Sequence, residues 1–408
     1  MSETTELTFN VELAAPPTAV YYALTNGAAL REWLATNSQV ATQVGGRIYL
    51  WWQQGYWATG EFLELVPEKK VVYSWQGRLE TAVTKVTFSL QPGDGGTHLS
   101  LTHEDIPAGE DAAEMRQGLK DGWDAGLANL KSVLETGLDK RLYDQAFLGI
   151  LISGLVTAEQ AEELGIDAAG GIRISGTMAG TGAAEAGLQA EDVIIDMGGS
   201  ETKDFPSLQA AIRPYRAGDG VKITYYRDGE REQTMMTLGT RPVPDIPTTP
   251  KALAEAVADV YAELDVQLDE VVANVSEMEA DYRPDGDDSW NAKELLAHLI
   301  TTERGMQMQL ATQVTDGTLD GFPNNPAAWV RSVTAVYTTL ADMVALWKRT
   351  EAESVALLAN LPDAFTARKT SYLNAGNTFL NGLPPHTRSH IVEIEALLKT
   401  AREQLAHA

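Results

Sequence analysis

The spacing of apolar residues changes at one place in this chain, and no single layer of secondary structure accommodates both patterns. Up to about residue 240, short runs alternate apolar and polar side chains as half-buried strands do, with helical stretches between them. After the proline-rich segment GTRPVPDIPTTP, apolar residues recur every three or four positions over long stretches, the period of a helix. The chain has 408 residues, more than one core ordinarily serves, and at roughly 150 residues per domain it divides into two or three. With 44% hydrophobic residues, 35 Gly and 17 Pro, each part can close a core of its own. The expected class is multidomain α+β.

Charge and residue types exclude several functions. The net charge of -26 and pI near 4.6 oppose nucleic-acid phosphates and anionic lipid, so neither nucleic acid nor membrane is an expected partner. No run approaches the ~20 apolar residues of a membrane helix, and the start MSETTELTFNVEL lacks the order of a secretory signal. A cytoplasmic protein is expected. There are no cysteines and six histidines, so a transition-metal site has to be built from imidazole and carboxylate.

The first segment, Met1 to Asp139, begins with an alternating strand at Thr5 to Leu13, and Pro16-Pro17 opens a helix. The runs GGRIYLWW, YWATGEFLELV, KKVVYSW and AVTKVTFSL, separated by turn-formers, predict an antiparallel meander. Leu119, Trp123, Leu127, Leu130 and Leu134 give a closing helix over Ala112 to Thr136 that lies on the sheet. PPTAVYYALTNGAALREWL, VGGRIYLWW, ATGEFLELVPEKKVVYSW and GWDAGLANLKSVLE resemble the START-like, helix-grip superfamily, in particular the homologues of the activator of the heat-shock-protein-ninety ATPase. The resemblance implies a cavity between helix and sheet for a hydrophobic small molecule. Trp33, Trp51, Trp57, Tyr73, Trp75 and Trp123 are candidates to line it, the alternative being that they fill the core. His98 and His103, five apart on one strand, point to opposite faces and do not form a ligand pair.

The middle segment, Lys140 to Pro242, carries AFLGILISG, then GGIRISGTMAGTGAAEAGLQAEDVIIDMGG, a helix over Asp204 to Arg213 and a hairpin turning at Asp228-Gly229. This series resembles PDZ domains of the high-temperature-requirement protease type, a small β-sandwich or barrel that takes a peptide or protein C-terminus by strand addition. The resemblance implies a carboxylate loop at Phe147, Leu148, Gly149 and Ile150, and a side-chain pocket walled by Leu208, Ala211 and Ile212. No Ser-His-Asp protease set accompanies it. The alternative is a vestigial groove in a domain that spaces its neighbours.

Residues 243–251 read as a semi-rigid linker, and Ala252 to Ala408 as an all-α four-helix bundle, with helices expected at Ala252 to Val275, Asn291 to Val314, Val333 to Leu361 and Pro385 to Leu405. Asn291 with Glu294 forms a capping box that sets the register of the second helix and aims His298 inward. His386 and His390 share one face of the fourth. SWNAKELLAHL and HTRSHIVEIEALL resemble the DinB-like bundle family, which implies His298, His386 and His390 as ligands of a divalent metal, most readily Zn, with Ni or Fe(II) also acceptable. Glu393 or Glu303 is a candidate to orient a ligand or a bound water, and His407 plays no part. The function expected is a non-enzymatic, stress- or chaperone-related binding protein. The alternative is a metal-dependent thiol transferase or hydrolase working at the three histidines.

Overall fold

The computed structural model describes residues 3–53, 55–163, 165–284, 289–317 and 327–406, and its contacts divide into two compact units, residues 138–243 and the remainder.

In the larger unit, the N-terminal part is one antiparallel sheet in the order β1-β7-β6-β5-β4-β3-β2. Its strands are β1 (Thr4–Leu13), β2 (Asn37–Val40), β3 (Arg47–Trp51), β4 (Trp57–Val66), β5 (Lys70–Gly77), β6 (Thr84–Gly93) and β7 (Gly96–Pro107). Helices α1 (Pro17–Thr25) and α2 (Gly27–Trp33) follow β1, and Asn26 caps α2 by accepting from the amides of Ala28 and Ala29. The long α3 (Ala113–Thr136) buries Leu119, Trp123, Leu127, Leu130 and Val133 against the sheet, and Gly137 in the left-handed region ends it.

The smaller unit is a sheet in the order β14-β13-β11-β10-β9, with a short β12 beside β11. Its elements are β8 (Ala146–Phe147), β9 (Ile150–Val156), β10 (Gly171–Thr177), β11 (Val193–Met197), β12 (Ser200–Glu201), α4 (Phe205–Ile212), β13 (Gly220–Arg227), β14 (Glu230–Thr237) and β15 (Gly239–Thr240). Asp228 and Gly229 both have positive φ, 51° and 79°, the primed geometry that a two-residue hairpin requires. Asp204 and Ser207 cap α4 reciprocally. Asp192, fully buried, is held by a bidentate Arg227 pair at 2.7 Å.

The C-terminal part packs α5 (Pro250–Val272), α6 (Ala292–Val314), α7 (Ala327–Val336), α8 (Leu340–Ala359), α9 (Lys369–Asn377) and α10 (Leu383–Leu405) around one apolar core. The helix expected from Val333 starts instead at Leu340. Thr339 caps it there by accepting from the Asp342 amide, and α7 is a separate element. A single π-helical turn, Thr378–Gly382, joins α9 to α10.

Candidate metal centre and peptide groove

The capping box at Asn291 and Glu294 starts α6 as its residues dictate, and Arg283 braces Glu294 at 2.6 Å. Two turns on, His298 is buried, with its ring 5.5 Å from that of Trp290. Proline in the first turn sets the start of α10, and one further turn separates His386 from His390. The three imidazoles converge: one ring nitrogen from each lies within 4.8 Å of the others, and Nε2 of His298 stands 3.3 Å from Nε2 of His386. Nitrogens held at 2.0–2.1 Å around a tetrahedral ion are separated by about 3.3 Å, so the pair has the spacing of two ligands on one centre. Burial, then the neighbouring His390, lowers the pKa of His386, which favours the neutral ring that a metal ligand must be. His390 Nδ1 meets Glu393 Oε2 at 2.8 Å, the outer contact that fixes a ligating ring. Three imidazoles facing one another fit a divalent transition metal.

Glu303 does not join this centre. Its carboxylate is buried on another face of α6, where it accepts from the hydroxyls of Tyr261, at 2.7 Å, and Ser354. Five residues along a helix turn a side chain well away from His298, which removes Glu303 as a partner for a metal-bound water. His407 lies outside the described residues.

In the smaller unit, Gly149 has φ +80° and a Cβ there would stand 2.0 Å from Thr181 Oγ1, so only glycine fits. Its carbonyl accepts from the Met178 amide at 2.7 Å, and Leu148 accepts from Ala183. The strand that follows, β9, is an edge of the sheet and exposes Leu151, Ile152 and Leu155. Leu208 and Ala211 are buried on α4, with Ile212 partly buried against the same core. Phe147 carries a guanidinium over its ring, that of Arg241 at 4.7 Å, and Arg241 Nε is buried without a hydrogen-bond partner among the described residues.

In the N-terminal sheet, Trp33, Tyr73, Trp75 and Trp123 are buried in one core. Trp51 and Trp57 are not with them. On β3 and β4 it is Ile48, Leu50 and Ala58 that face the core, and the period of two turns Trp51 and Trp57 to the opposite face, half-buried, with Trp57 6.4 Å from Tyr49. They therefore do not line an interior cavity. His103 is fully buried: the Trp123 indole donates to its Nδ1 at 3.0 Å, and its Nε2 meets Thr84 Oγ1 at 2.7 Å. Burial pushes its pKa down to about 4, so it is neutral, with Nδ1 as acceptor and Nε2 as donor. His98 points outward and meets Glu12 at 2.7 Å.

Residues 14–135 match the family described as activator of Hsp90 ATPase homolog 1-like protein, residues 155–238 the PDZ domain, and residues 264–394 the DinB superfamily. START-like, PDZ and DinB-like domains are present, in that order. Relatives of the PDZ domain include a probable periplasmic serine endoprotease DegP-like of Marinomonas sp., 31% identical over 115 residues, 28% of this chain and 23% of that protein. Another is the serine protease Do-like HtrA of Lactococcus lactis subsp. cremoris, 32% identical over 155 residues, 35% of this chain and 37% of that protein. The chain thus spans well under half the length of either relative. Similar solved structures include a Mesorhizobium loti protein (26% identity, 32% of this chain and 97% of that one, TM-score 0.30) and an HSP90 activator from Plasmodium falciparum (28% identity, 32% and 95%, TM-score 0.28).

The DinB match includes His298, His386 and His390. The PDZ match begins after Phe147 to Ile150, so the loop geometry at Gly149 stands on the structure. Thr181, which fills the space a side chain at Gly149 would need, and Arg241 beside Phe147 escaped the sequence reading. No local pattern marks a residue whose partner is tens of positions away.

Proposed function

We propose that this chain is a non-enzymatic binding protein that holds a divalent metal in its DinB-like domain and captures the C-terminus of a peptide on its PDZ domain. The convergence of His298, His386 and His390 carries the reading, because ring nitrogens brought within 4.8 Å of one another are placed to share one cation. Zn suits three imidazoles with tetrahedral spacing best, and when bound it would polarise a water or another ligand. Glu393 would orient His390 toward it. Peptide capture rests on the open edge of β9 beside the Gly149 turn. An apolar small molecule is the ligand proposed for the START-like domain. There the buried Trp75 indole N–H makes no hydrogen bond of normal geometry, although the Tyr56 hydroxyl is close enough to interact. A stress-related role in the cytoplasm belongs to the same reading.

The second reading, a metal-dependent thiol transferase or hydrolase, is favoured by the ligands among the described residues: three imidazoles on one ion would leave a coordination position for water or thiol. Elemental mass spectrometry of the purified protein tests the metal. About one equivalent in the parent, lost in His298→Ala and His386→Ala, is expected, and a parent that stays empty after incubation with Zn, Ni and Fe(II) would overturn it. Thiol-transfer or hydrolytic turnover that disappears in His386→Ala would move the assignment to the second reading.

A further inference from the structure

We infer that the START-like and DinB-like domains are two halves of one folded body, and that the PDZ domain is an insertion into it, tethered at both ends to a single helix. Three sets of contacts lead there.

The first is a polar interface between residues more than 230 positions apart. Arg368, at the head of α9, spans it. Its guanidinium pairs with Glu32 at 3.0 Å and with Asp316 at 3.0 Å, donates to the Gln313 carbonyl at 2.9 Å, and stands 5.8 Å from the Tyr22 ring. Asp316 also accepts from the hydroxyl of Tyr22 and, at 3.0 Å, from Asn26, while Ser371 donates to Glu32. The side chains of Arg368 and Glu32 are only 10% and 15% exposed. A buried charge pair of this kind costs far more when one partner is removed than it contributes when whole, so a substitution on either side leaves the other charge poorly compensated within the interface.

The second set concerns where the chain leaves and re-enters the body. Gly137, the last residue before the inserted unit, is fixed to the start of α9. Thr370 donates to its carbonyl at 2.8 Å, Lys369 donates to the adjoining Glu135 carbonyl at 2.7 Å, and a Cβ on Gly137 would stand 3.0 Å from Lys369. After the insertion, Pro247 accepts from the Tyr372 hydroxyl at 2.9 Å, and Ile246 lies so close to Gly376 that a Cβ there would come within 2.3 Å of it. Exit and return are thus held seven residues apart on α9, roughly 10 Å at 1.5 Å per residue.

The third observation is internal to the inserted unit. Its two ends pair with each other, β8 with β15, Ala146 opposite Thr240 and Phe147 opposite Gly239. An antiparallel neck of this kind closes the unit on itself, and its buried clusters contain no residue of the other domains. The START-like and DinB-like domains therefore need the PDZ segment only as a tether.

The test uses the full chain with specific protease sites introduced after Gly137 and after Val243, cleaved while folded and resolved by size-exclusion chromatography. Fragments 1–137 and 244–408 are expected to elute together, with 138–243 apart. Elution of 1–137 alone would overturn the shared body, and retention of 138–243 with the other two would overturn the insertion. Glu32→Gln, which leaves the START-like core untouched, is expected to weaken association of the two outer fragments at least tenfold, and unchanged association would overturn the role given to the Arg368 pairing. Arg368→Glu should separate the cleaved fragments outright while the uncut variant keeps the helical circular dichroism of the parent.

Discussion

His390 stands in the three-histidine cluster and its Nδ1 meets Glu393, so the carboxylate fixes which tautomer the ring presents. Glu393→Gln keeps the shape and loses the charge; metal affinity measured by chelator competition should fall about 10- to 100-fold, whereas His298→Ala should abolish binding. An affinity in Glu393→Gln equal to the parent's would show that the 2.8 Å contact is a surface ion pair and no more. At the groove, Gly149→Val places a branched side chain at φ +80° and into Thr181. Peptide retention should be lost, with a destabilisation of the PDZ unit of about 1–3 kcal/mol or more. Arg241→Met keeps a chain over Phe147 and removes the cation. If that cation helps hold a terminal carboxylate, the parent should prefer a peptide acid over its C-terminal amide, and the variant should lose most of the preference. Equal binding of acid and amide by the parent would count against terminal recognition altogether.

At the level of elements, what could be read from the sequence is what local chemistry decides. The capping box of α6, the proline start of α10, the hairpin at Asp228-Gly229 and the closing helix α3 all depend on residues within four positions of one another, and each forms where its pattern places it. Asn291→Ala should therefore cost about 1 kcal/mol in thermal unfolding while metal content is kept, since the cap stabilises the start of α6 and His298 sits two turns inside it; loss of the metal as well would mean that the first turn itself positions the histidine. What escaped was set across elements. Trp51 and Trp57 looked like cavity residues because large aromatics are usually buried, yet their phase on β3 and β4 turns them outward, and phase against a sheet depends on register with partner strands. Glu303 is a carboxylate near a histidine in sequence and serves Tyr261 and Ser354 instead, residues of α5 and α8. The Arg368 interface joins positions 336 apart, beyond any local periodicity.

For the larger unit as a whole, stability should depend on pH through a carboxyl group that the metal centre does not use. Glu351 on α8 is buried in the bundle, and among the described residues neither of its oxygens accepts from a donor. Burial first, then the neighbouring Asp265 and Glu303, raises its pKa to about 10, with Lys348 opposing. Asp265 and Glu303 are also shifted upward by burial. The folded bundle thus keeps a proton on Glu351 that the unfolded chain releases near pH 4.5. The folded state then binds more protons than the unfolded one between those two values. Stability is full below about pH 4.5 and withdrawn as pH rises toward 10, at up to about 1.4 kcal/mol per pH unit. The charge of -26 adds a repulsion that also grows with pH. Glu351→Gln preserves the size and hydrogen-bonding capacity of the protonated acid without an ionisable group. Its melting temperature should match or exceed the parent's at pH 8, and its decline between pH 5 and pH 9, followed by calorimetry, should be visibly shallower. A variant whose curve runs parallel to the parent's would mean that Glu351 ionises in the folded bundle and that the pH dependence arises from the surface charge instead.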